Sequence, residues 1–375
     1  MKIEMVDLKG QYVKIQDDID TAVLNVLREA TFINGPAVAE FTQSLSSYLG
    51  GAQVIPCANG TDALQIAMMA LDLQPGDEVI VPAFTYVATA EVIGLLKLKP
   101  VMVDVDPQTF NMSRENIVQA ITSKTKAIVP VHLFGQCADM EPIMELADKH
   151  GLFVIEDTAQ AIGADYTFTS GSKKKAGTIG HVGCTSFFPS KNLGCYGDGG
   201  AIYTKDSALG EKIRMIANHG QVKKYVHKYI GVNSRLDTIQ AAILNVKLKY
   251  LDDFSSARRN AADLYDRLLA EVNGIITPVR SANSSHVFHQ YTLRVLVNRR
   301  DSLKAYLESF GIPAMIYYPV PLNEQEAFQI IGSVIGPLNV TKDLCNSVLS
   351  LPMHTELSEE QQIFIANKIK NFFYH

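Results

Sequence analysis

The 375-residue sequence has no long apolar run and no excess of basic residues. No stretch approaches the roughly 18 apolar residues that a membrane-spanning helix requires. The first residues, MKIEMVDLKGQ, lack the apolar segment of a secretion signal. Lysine and arginine total 34 against 39 acidic residues, a net charge of −5, which does not favour nucleic-acid binding. We therefore expect a cytoplasmic protein with no membrane partner and no nucleic-acid partner.

Recognisable metal, redox and nucleotide motifs are also missing. The five cysteines match neither a zinc-binding spacing nor C-x-x-C, and an odd number of cysteines is typical of free thiols in a reducing compartment. His286 and His289 are three residues apart, but an isolated histidine pair is more often structural than metal-binding, so we expect no metal site. The glycine fingerprint of nicotinamide enzymes and the phosphate-loop motif do not occur.

Short apolar strands alternate with helical patterns between residues 51 and 206. The strand candidates are rich in valine and isoleucine, as in a sheet that is covered on both faces. They are residues 78–83, 100–106, 127–134, 152–156, 185–188 and 200–204, and the helices between them are residues 61–71, 89–98, 114–121 and 139–150. This alternation predicts an α/β fold with a mainly parallel sheet.

The pattern changes after about residue 233. In this part the sequence predicts a long helix over 236–272 with a break near 252–255, a strand over 289–297, a helix over 301–310, a second strand near Ile312 and a closing helix from Ser358. Ser358 and Gln361 have the spacing of a capping box. We predict a large domain over residues 1–251, including an N-terminal helix at 16–29, and a smaller α/β domain over residues 252–375.

The segment CANGTDAL, residues 57–64, places a turn of small residues directly before a helix. The start of a helix attracts anions through its free N–H groups and its dipole. Gly60 and Thr61 could therefore cradle a phosphate, although an ordinary helix cap is the alternative interpretation.

Two carboxylates, Glu156 and Asp157, end a predicted strand. Ligands of open α/β sheets bind beyond the carboxyl ends of the strands, so one of the two should face a crevice. A buried carboxylate needs a cation or a donor, and a protonated pyridine nitrogen would serve. Capping of the next helix is the alternative.

Lys191 lies within SFFPSKNLGCYGDGG, residues 186–200, between an apolar strand and a glycine-dense turn. Desolvation or neighbouring cations could lower its pKa so that it forms a Schiff base, whereas a solvated surface lysine is the alternative. A phosphate site, an acid and a later lysine are together the groups that pyridoxal phosphate requires. Tyr86 could then stack on the cofactor ring, Gln160 could bind its phenolic oxygen, and Ser186 could contact its phosphate.

At these residues the sequence resembles the pyridoxal-phosphate-dependent sugar aminotransferases of the DegT/DnrJ/EryC/StrS type. The resemblance covers nearly the whole chain and includes CANGTDAL, PAFTYVATAE, EDTAQAIGA, SFFPSKNLGCYGDGG, HGQ and GVNSRLDTIQAA. It implies the aspartate-aminotransferase-like fold type I, with a large, mainly parallel sheet domain and a smaller C-terminal domain. The sequence looks most like the enzymes that aminate UDP-2-acetamido-2-deoxy-3-oxo-glucuronate, with glutamate as donor, for surface polysaccharide and lipopolysaccharide synthesis.

The resemblance also implies roles for individual residues. Lys191 would form the Schiff base and move the proton, Asp157 would pair with the pyridine nitrogen, and Asn233 would reach the phosphate from the other subunit of a homodimer with shared sites. The remaining contacts are assigned as cofactor-binding (Gly60, Thr61, Tyr86, Gln160, Ser186) and substrate-binding (Phe32, Ser190, Arg235, Tyr317, Tyr318).

Two residues depart from the close relatives. Phe32 stands where they carry tyrosine, and Tyr317 where they carry histidine. A TDP-linked 3-keto-6-deoxy sugar is therefore an alternative substrate, and a pyridoxal-phosphate-binding regulatory protein without turnover is an alternative function. Lys191 argues against the sugar dehydratases of this fold, which have histidine at that position.

Overall fold

The computed structural model describes residues 2–374, so the outermost residues of the two predicted domains, 1 and 375, lie outside the described residues. The first part of the chain contains α1 (Leu8–Lys14), α2 (Gln16–Glu29), α3 (Pro36–Tyr48), β1 (Gln53–Cys57), α4 (Gly60–Ala70), β2 (Glu78–Pro82), α5 (Ala88–Leu95), β3 (Lys99–Val103), α6 (Arg114–Ala120), β4 (Thr125–Ile128), α7 (Met140–His150), β5 (Phe153–Asp157), β6 (Asp165–Thr167), β7 (Lys173–Lys175), β8 (Val182–Ser186), β9 (Gly200–Thr204), α8 (Ser207–Ala217), β10 (Gln221–Lys223), β11 (Val226–His227) and α9 (Thr238–Leu248). The second part contains α10 (Leu251–Leu269), β12 (Ile275–Ile276), β13 (Tyr291–Val295), α11 (Arg300–Ser309), β14 (Ser333–Val334), α12 (Asn339–Ser347), β15 (Val348–Leu351) and α13 (Glu359–Tyr374).

An eight-stranded sheet lies at the centre, in the order β1-β9-β8-β5-β4-β2-β3-β14. Neighbouring strands from β8 to β14 are parallel. Strand β9 runs antiparallel to both of its neighbours, β1 and β8. The predicted α/β fold with a mainly parallel sheet is therefore confirmed.

Helices cover both faces of this sheet. On one face, α5 and α8 bury Ile93 and Ile213. On the other, α6 and α7 bury Ile117 and Ile143. Because both faces are covered, the central strands are apolar on both sides, which is why their sequences show continuous apolar runs rather than alternation.

The second part of the chain has its own apolar core. Strands β12, β13 and β15 form an antiparallel sheet. Helices α10, α11 and α13 pack on it through residues such as Tyr265, Leu307 and Ile365. The predicted boundary between residues 251 and 252 falls in the first turn of α10, but β14, from beyond that boundary, joins the large sheet beside β3. The division into two domains stays a prediction.

Some local predictions were wrong. Ile312 is not followed by a strand: that segment forms only an isolated bridge between Met315 and Ser350, and the strands beside β13 are β12 and β15. Strand β1 was not predicted, because it is an edge strand that contains Pro56. The break in the long helix falls between α9 and α10 instead of at 252–255.

The capping box is present at the start of α13. The Ser358 N–H donates to Gln361 Oε1 at 2.9 Å, and the Gln361 N–H donates to Ser358 Oγ at 3.2 Å. Across residues 2–374, no helix combines the length and the apolar character needed to cross a bilayer.

Candidate active site

A cavity of about 830 Å³ opens at the carboxyl ends of β2, β5 and β8. This is the edge at which ligands of open α/β sheets bind. Ten of the thirteen predicted site residues line it, namely Gly60, Thr61, Tyr86, Asp157, Gln160, Ser186, Ser190, Lys191, Tyr317 and Tyr318. The structure thus brings these residues together, while their individual roles stay predictions.

The start of α4 forms one wall of the cavity. Asn59 caps the helix, with its Oδ1 accepting the Asp62 N–H at 2.8 Å. The first N–H groups of a helix have no partner within it, which leaves donors at Gly60 and Thr61. A Cβ at Gly60 would lie 2.7 Å from Ser186 Cβ, and one at Gly200 would lie 2.5 Å from the Asn59 backbone. The helix start therefore packs this closely against β8 and β9 only because both positions are glycine.

Glu156 and Asp157 are adjacent in β5 but differ in surroundings. Glu156 is fully buried and accepts hydrogen bonds from the N–H groups of Gly177 (2.8 Å) and Ile179 (2.7 Å) and from His132 Nε2 (2.9 Å). The His132 Nδ1 accepts the Ala138 N–H at 3.0 Å, so its proton is on Nε2. Burial alone would raise the pKa of Glu156, but these donors hold the pKa below its usual range.

Asp157 is the carboxylate that lines the cavity. Its Oδ2 accepts the Thr89 hydroxyl at 2.9 Å, and its Oδ1 accepts the Ala159 N–H at 3.1 Å. Both oxygens are anchored while the group remains at the cavity wall. The alternative of helix capping therefore does not describe Asp157, because no helix begins at the turn that follows it.

Lys191 extends into the same cavity from the loop between β8 and β9. The loop is closed at its base by the Cys195 N–H, which donates to Phe187 O at 2.8 Å. Next to the lysine, Asn192 Nδ2 donates to Val287 O at 3.0 Å. Burial lowers the pKa of Lys191 to about 8, and the negative charge of Asp157 partly opposes that decrease. A larger fraction of its amine is therefore unprotonated near neutral pH than for an exposed lysine.

Gln160 is oriented by its surroundings. Its Oε1 accepts the Phe134 N–H at 2.7 Å, so its amide NH₂ must point the other way. There it donates to Tyr318 Oη at 3.1 Å. Tyr86, more than half exposed, has its ring centroid 6.3 Å from that of Tyr318. The cavity thus has an aromatic wall and a fixed amide donor.

Several polar residues of the site were missed from the sequence, among them Thr85, Thr89 and His289. Thr89 binds Asp157, while Thr85 and His289 line the cavity. Thr85 is 2% exposed and His289 is 8% exposed, yet Thr85 Oγ1 and His289 Nδ1 have no hydrogen-bond partner among residues 2–374. Both threonines lie in PAFTYVATAE, just after a predicted strand, so their position was a usable signal. Nothing in the sequence separated His289 from a structural histidine.

The lining residues fit pyridoxal phosphate. The unpartnered Thr85 and His289 atoms indicate a polar ligand, because buried polar groups are normally hydrogen-bonded. Lys191 offers an amine for the aldehyde, Asp157 an anchored carboxylate for the pyridine nitrogen, and the start of α4 a place for the phosphate.

Phe32, Asn233 and Arg235 do not line the cavity of their own chain. Phe32 is 46% exposed, just after α2, and its carbonyl accepts the Thr238 N–H at 3.0 Å. Asn233 is exposed and Arg235 is half-buried. Ser234, between them, is buried, and its Oγ accepts the Ala58 N–H at 3.0 Å beside the start of α4.

The histidine pair does not form a metal cluster. His286 stacks on Phe288 at a centroid distance of 3.8 Å and accepts the Phe288 N–H through Nδ1. In the described chain, residues 2–374, no group of three or more histidine, cysteine, aspartate or glutamate side chains is arranged to hold a metal ion.

The fold and the cavity define a pyridoxal-phosphate-dependent aminotransferase of fold type I. The chain belongs to the DegT/DnrJ/EryC1/StrS aminotransferase family, whose sequence profile matches residues 13–370. A Pseudomonas aeruginosa UDP-2-acetamido-2-deoxy-3-oxo-D-glucuronate aminotransferase is 49% identical to it, over 98% of this chain and 100% of that protein.

Two further similarities concern function and cofactor. A pleiotropic regulatory protein of Geobacillus stearothermophilus is 46% identical over the full length of both chains. The crystal structure of ntda from Bacillus subtilis with bound cofactor PMP is 32% identical, covers 100% of this chain and 86% of that one, and superposes with a TM-score of 0.89. The predictions of family, fold type, pyridoxal phosphate and a nucleotide-sugar aminotransferase are thereby confirmed.

Proposed function

We propose that the protein transfers the amino group of glutamate to UDP-2-acetamido-2-deoxy-3-oxo-glucuronate, giving 2-oxoglutarate and the 3-amino sugar. The observation that carries the proposal is the single cavity that joins Lys191, Asp157 and the start of α4. The choice of sugar rests on the 49% identity to a relative named for that substrate.

We assign the cofactor contacts to residues of this cavity. The N–H groups at Gly60 and Thr61, together with the Ser186 hydroxyl, would bind the phosphate. The fixed Gln160 amide would donate to the phenolic oxygen, and Tyr86 would pack on the ring. When bound, pyridoxal phosphate supplies an electron sink that stabilises negative charge at the carbon that gains or loses the amine.

Lys191 would have two tasks. Its amine would hold the cofactor covalently, and, once released, its Nζ would take a proton from glutamate and deliver one to the sugar carbon. Its pKa of about 8 suits both, because an amine titrating near ambient pH can accept and donate a proton. Asp157 would keep the pyridine nitrogen protonated and oriented.

We propose a homodimer in which each site is shared between two chains. Asn233 and Arg235 lie outside their own cavity, on a segment that also carries the exposed side chains of Tyr225 and Ile230. In a dimer, the Asn233 of one chain would bind the phosphate held by the other. Phe32, also outside its own cavity, would contact the substrate in the same way.

The sugar nucleotide would contact both chains. Ser190, Tyr317 and Tyr318 would meet it from the chain that holds Lys191. Arg235 would bind a carboxylate or the diphosphate through its fork of donors. We place the reaction in the cytoplasm, consistent with five free thiols, and its product in surface polysaccharide or lipopolysaccharide synthesis.

The test is a turnover assay of the purified holoenzyme. Glutamate is supplied with either the UDP-linked 3-oxo-glucuronate or a TDP-linked 3-keto-6-deoxy sugar, and 2-oxoglutarate and the amino sugar are quantified by coupled assay and mass spectrometry. We expect a higher kcat/KM for the UDP sugar. A preference for the TDP sugar would replace the assigned substrate. Cofactor binding without turnover on either sugar would favour the regulatory alternative.

A further inference from the structure

The Asp157 carboxylate is fixed by two donors from different parts of the chain. The Ala159 N–H binds Oδ1 and the Thr89 hydroxyl binds Oδ2. The first is a backbone contact two residues away, which any residue at position 159 except proline would make. The second comes from a side chain on α5, so a side-chain substitution can remove it without changing the backbone.

Thr89 is itself rigidly placed. It lies fully buried in the first turn of α5, and its β-branched side chain has few rotamers in a helix. Its N–H donates to Tyr86 O at 3.4 Å, so one turn of chain joins the aromatic wall of the cavity to the donor of Asp157. Among the described residues, Asp157 is the only side chain to which the Thr89 hydroxyl donates.

The orientation of an aspartate carboxylate is otherwise weakly determined. Its terminal torsion is broad and roughly two-fold, so the plane of the group is set by hydrogen bonds and not by the side chain's own preference. With Ala159 alone, one oxygen would be fixed and the plane could turn. With Thr89 as well, both oxygens are held and the plane of the carboxylate is fixed.

We infer that Thr89 is the positioning residue of Asp157, fixing the carboxylate in the orientation that meets the cofactor's pyridine nitrogen. The inference rests on the proposed pairing of Asp157 with that nitrogen. A charge acting on a reacting system is effective when it is held before the reaction begins. Thr89 therefore contributes to catalysis through Asp157 without touching the cofactor.

The decisive variant is Thr89→Val, which keeps the shape and removes the hydroxyl. The holoenzyme is prepared with pyridoxal phosphate labelled with ¹⁵N in the ring, and the ¹⁵N resonance is measured together with kcat and the KM for glutamate. We expect the resonance to move towards that of an unprotonated pyridine. We also expect kcat to fall on the order of tenfold, as for outer partners that orient a functional group, with KM within about twofold.

Two controls separate positioning from general destabilisation. Thr89→Ser keeps the donor and should restore the wild-type resonance and kcat. Thr341→Val removes an equally buried hydroxyl that donates to Asp104 Oδ1 at 2.7 Å, away from the lining residues of the cavity. It should lower the melting temperature without moving the resonance.

Asp157→Asn distinguishes failure of the inference from failure of the proposed function. If that variant leaves the ¹⁵N resonance unchanged, the pairing of Asp157 with the pyridine is wrong. If Asp157→Asn moves the resonance but Thr89→Val does not, Asp157 has its role and Thr89 is not its positioning residue. A Thr89→Ser enzyme as impaired as Thr89→Val would also overturn the inference, because the donor would then be irrelevant.

Discussion

Glu156 and Asp157 are consecutive residues of one strand whose carboxylates serve different surroundings: Glu156 meets His132 and a loop of backbone N–H groups, and Asp157 faces the cavity. The reason is the two-residue period of a β-strand, which sends neighbouring side chains to opposite faces. The same dipeptide thus supplies one structural anion and one anion for the site.

Glu156→Gln should affect mainly the stability of the protein, and Asp157→Asn should affect mainly its cofactor and activity. The first removes a buried charge from partners that remain buried, and we expect it to lower the free energy of unfolding by about 3 kcal/mol while bound cofactor keeps its spectrum. The second should change the spectrum and abolish most activity with little change in the melting temperature. Thermal unfolding and visible spectroscopy on both variants check this.

The contribution of Glu156 should depend on pH with a defined sign. Because its folded-state pKa lies below the usual 4.5, the stabilisation is present above that pH and is lost as the pH falls through and below it. The stability difference between wild type and Glu156→Gln should therefore shrink in acid. A difference that stays constant from pH 6 to pH 3 would contradict the assignment.

The rate at which apoprotein attaches pyridoxal phosphate should rise with pH, with a midpoint near the pKa of Lys191, about 8. Only the unprotonated amine attacks an aldehyde, and burial makes that form available below the ordinary pKa of 10.5. Borohydride trapping followed by mass spectrometry gives the rate and the attachment site. A midpoint near 10.5, or attachment at another lysine, would refute the prediction.

Gly60→Ala should weaken cofactor binding at least on the order of tenfold. Its new Cβ would lie 2.7 Å from Ser186 Cβ, so the helix start and β8 would have to separate. Gly94→Ala is the matched control: its Cβ would meet only the flexible end of Ile331. Titration of apoprotein with pyridoxal phosphate compares the two, and equal dissociation constants would show that the close packing at Gly60 is not needed.

Mixing Lys191→Ala with Asn233→Ala should restore activity that neither variant has alone. About half of randomly mixed dimers contain one chain of each kind, and each of these has one intact site, so about one quarter of wild-type activity is expected. Native mass spectrometry must show that mixed dimers form. Mixed dimers without activity would argue against sites shared between chains.

Lys247→Met should stabilise the protein. Lys247 is 1% exposed, its Nζ has no hydrogen-bond partner among residues 2–374, and burial lowers its pKa to about 8. The Lys247 amine binds its proton more tightly in the unfolded chain than in the folded one. The free-energy cost of burying the charged amine is therefore full below pH 8 and disappears as the pH rises towards 10.5. Loss of the contact with the Tyr196 ring offsets part of the gain, which leaves about 1–2 kcal/mol near neutral pH. Denaturant unfolding at pH 7 and pH 10 measures both the gain and its decrease.

The sequence predicted the parts of the molecule whose signals are local. The apolar runs predicted the central strands. Residues near the strand ends and at the start of α4, together with the family resemblance for Ser190, Tyr317 and Tyr318, predicted ten residues of the cavity. The residue pattern by itself could not decide which of Glu156 and Asp157 faces the cavity, because that depends on which face α7 and the 177–180 loop cover; the family resemblance supplied the choice of Asp157. Thr89 follows a predicted strand, but its role was missed because no local pattern shows that its hydroxyl meets Asp157.

Strand pairs that are far apart in the chain could not be predicted from the sequence either. Strand β15 pairs with β13 across more than fifty residues, and the short apolar run that forms it reads as the continuation of α12. The prediction placed the second strand near Ile312, soon after β13 in the chain. The strands that pair with β13 are instead β12, which precedes it, and β15, which follows much later.

Gly200 lies against the Asn59 backbone and pairs with Cys57, so the part of the proposed phosphate site that β9 forms is synthesised long after the start of α4. A nascent chain can form α4 early, but the start of α4 is packed against Gly200 only when β9 has inserted between β1 and β8. Contacts of such large sequence separation form slowly and late in folding. The visible absorbance of bound pyridoxal phosphate therefore reports when the complete sheet has formed. During refolding it should appear after the helical signal.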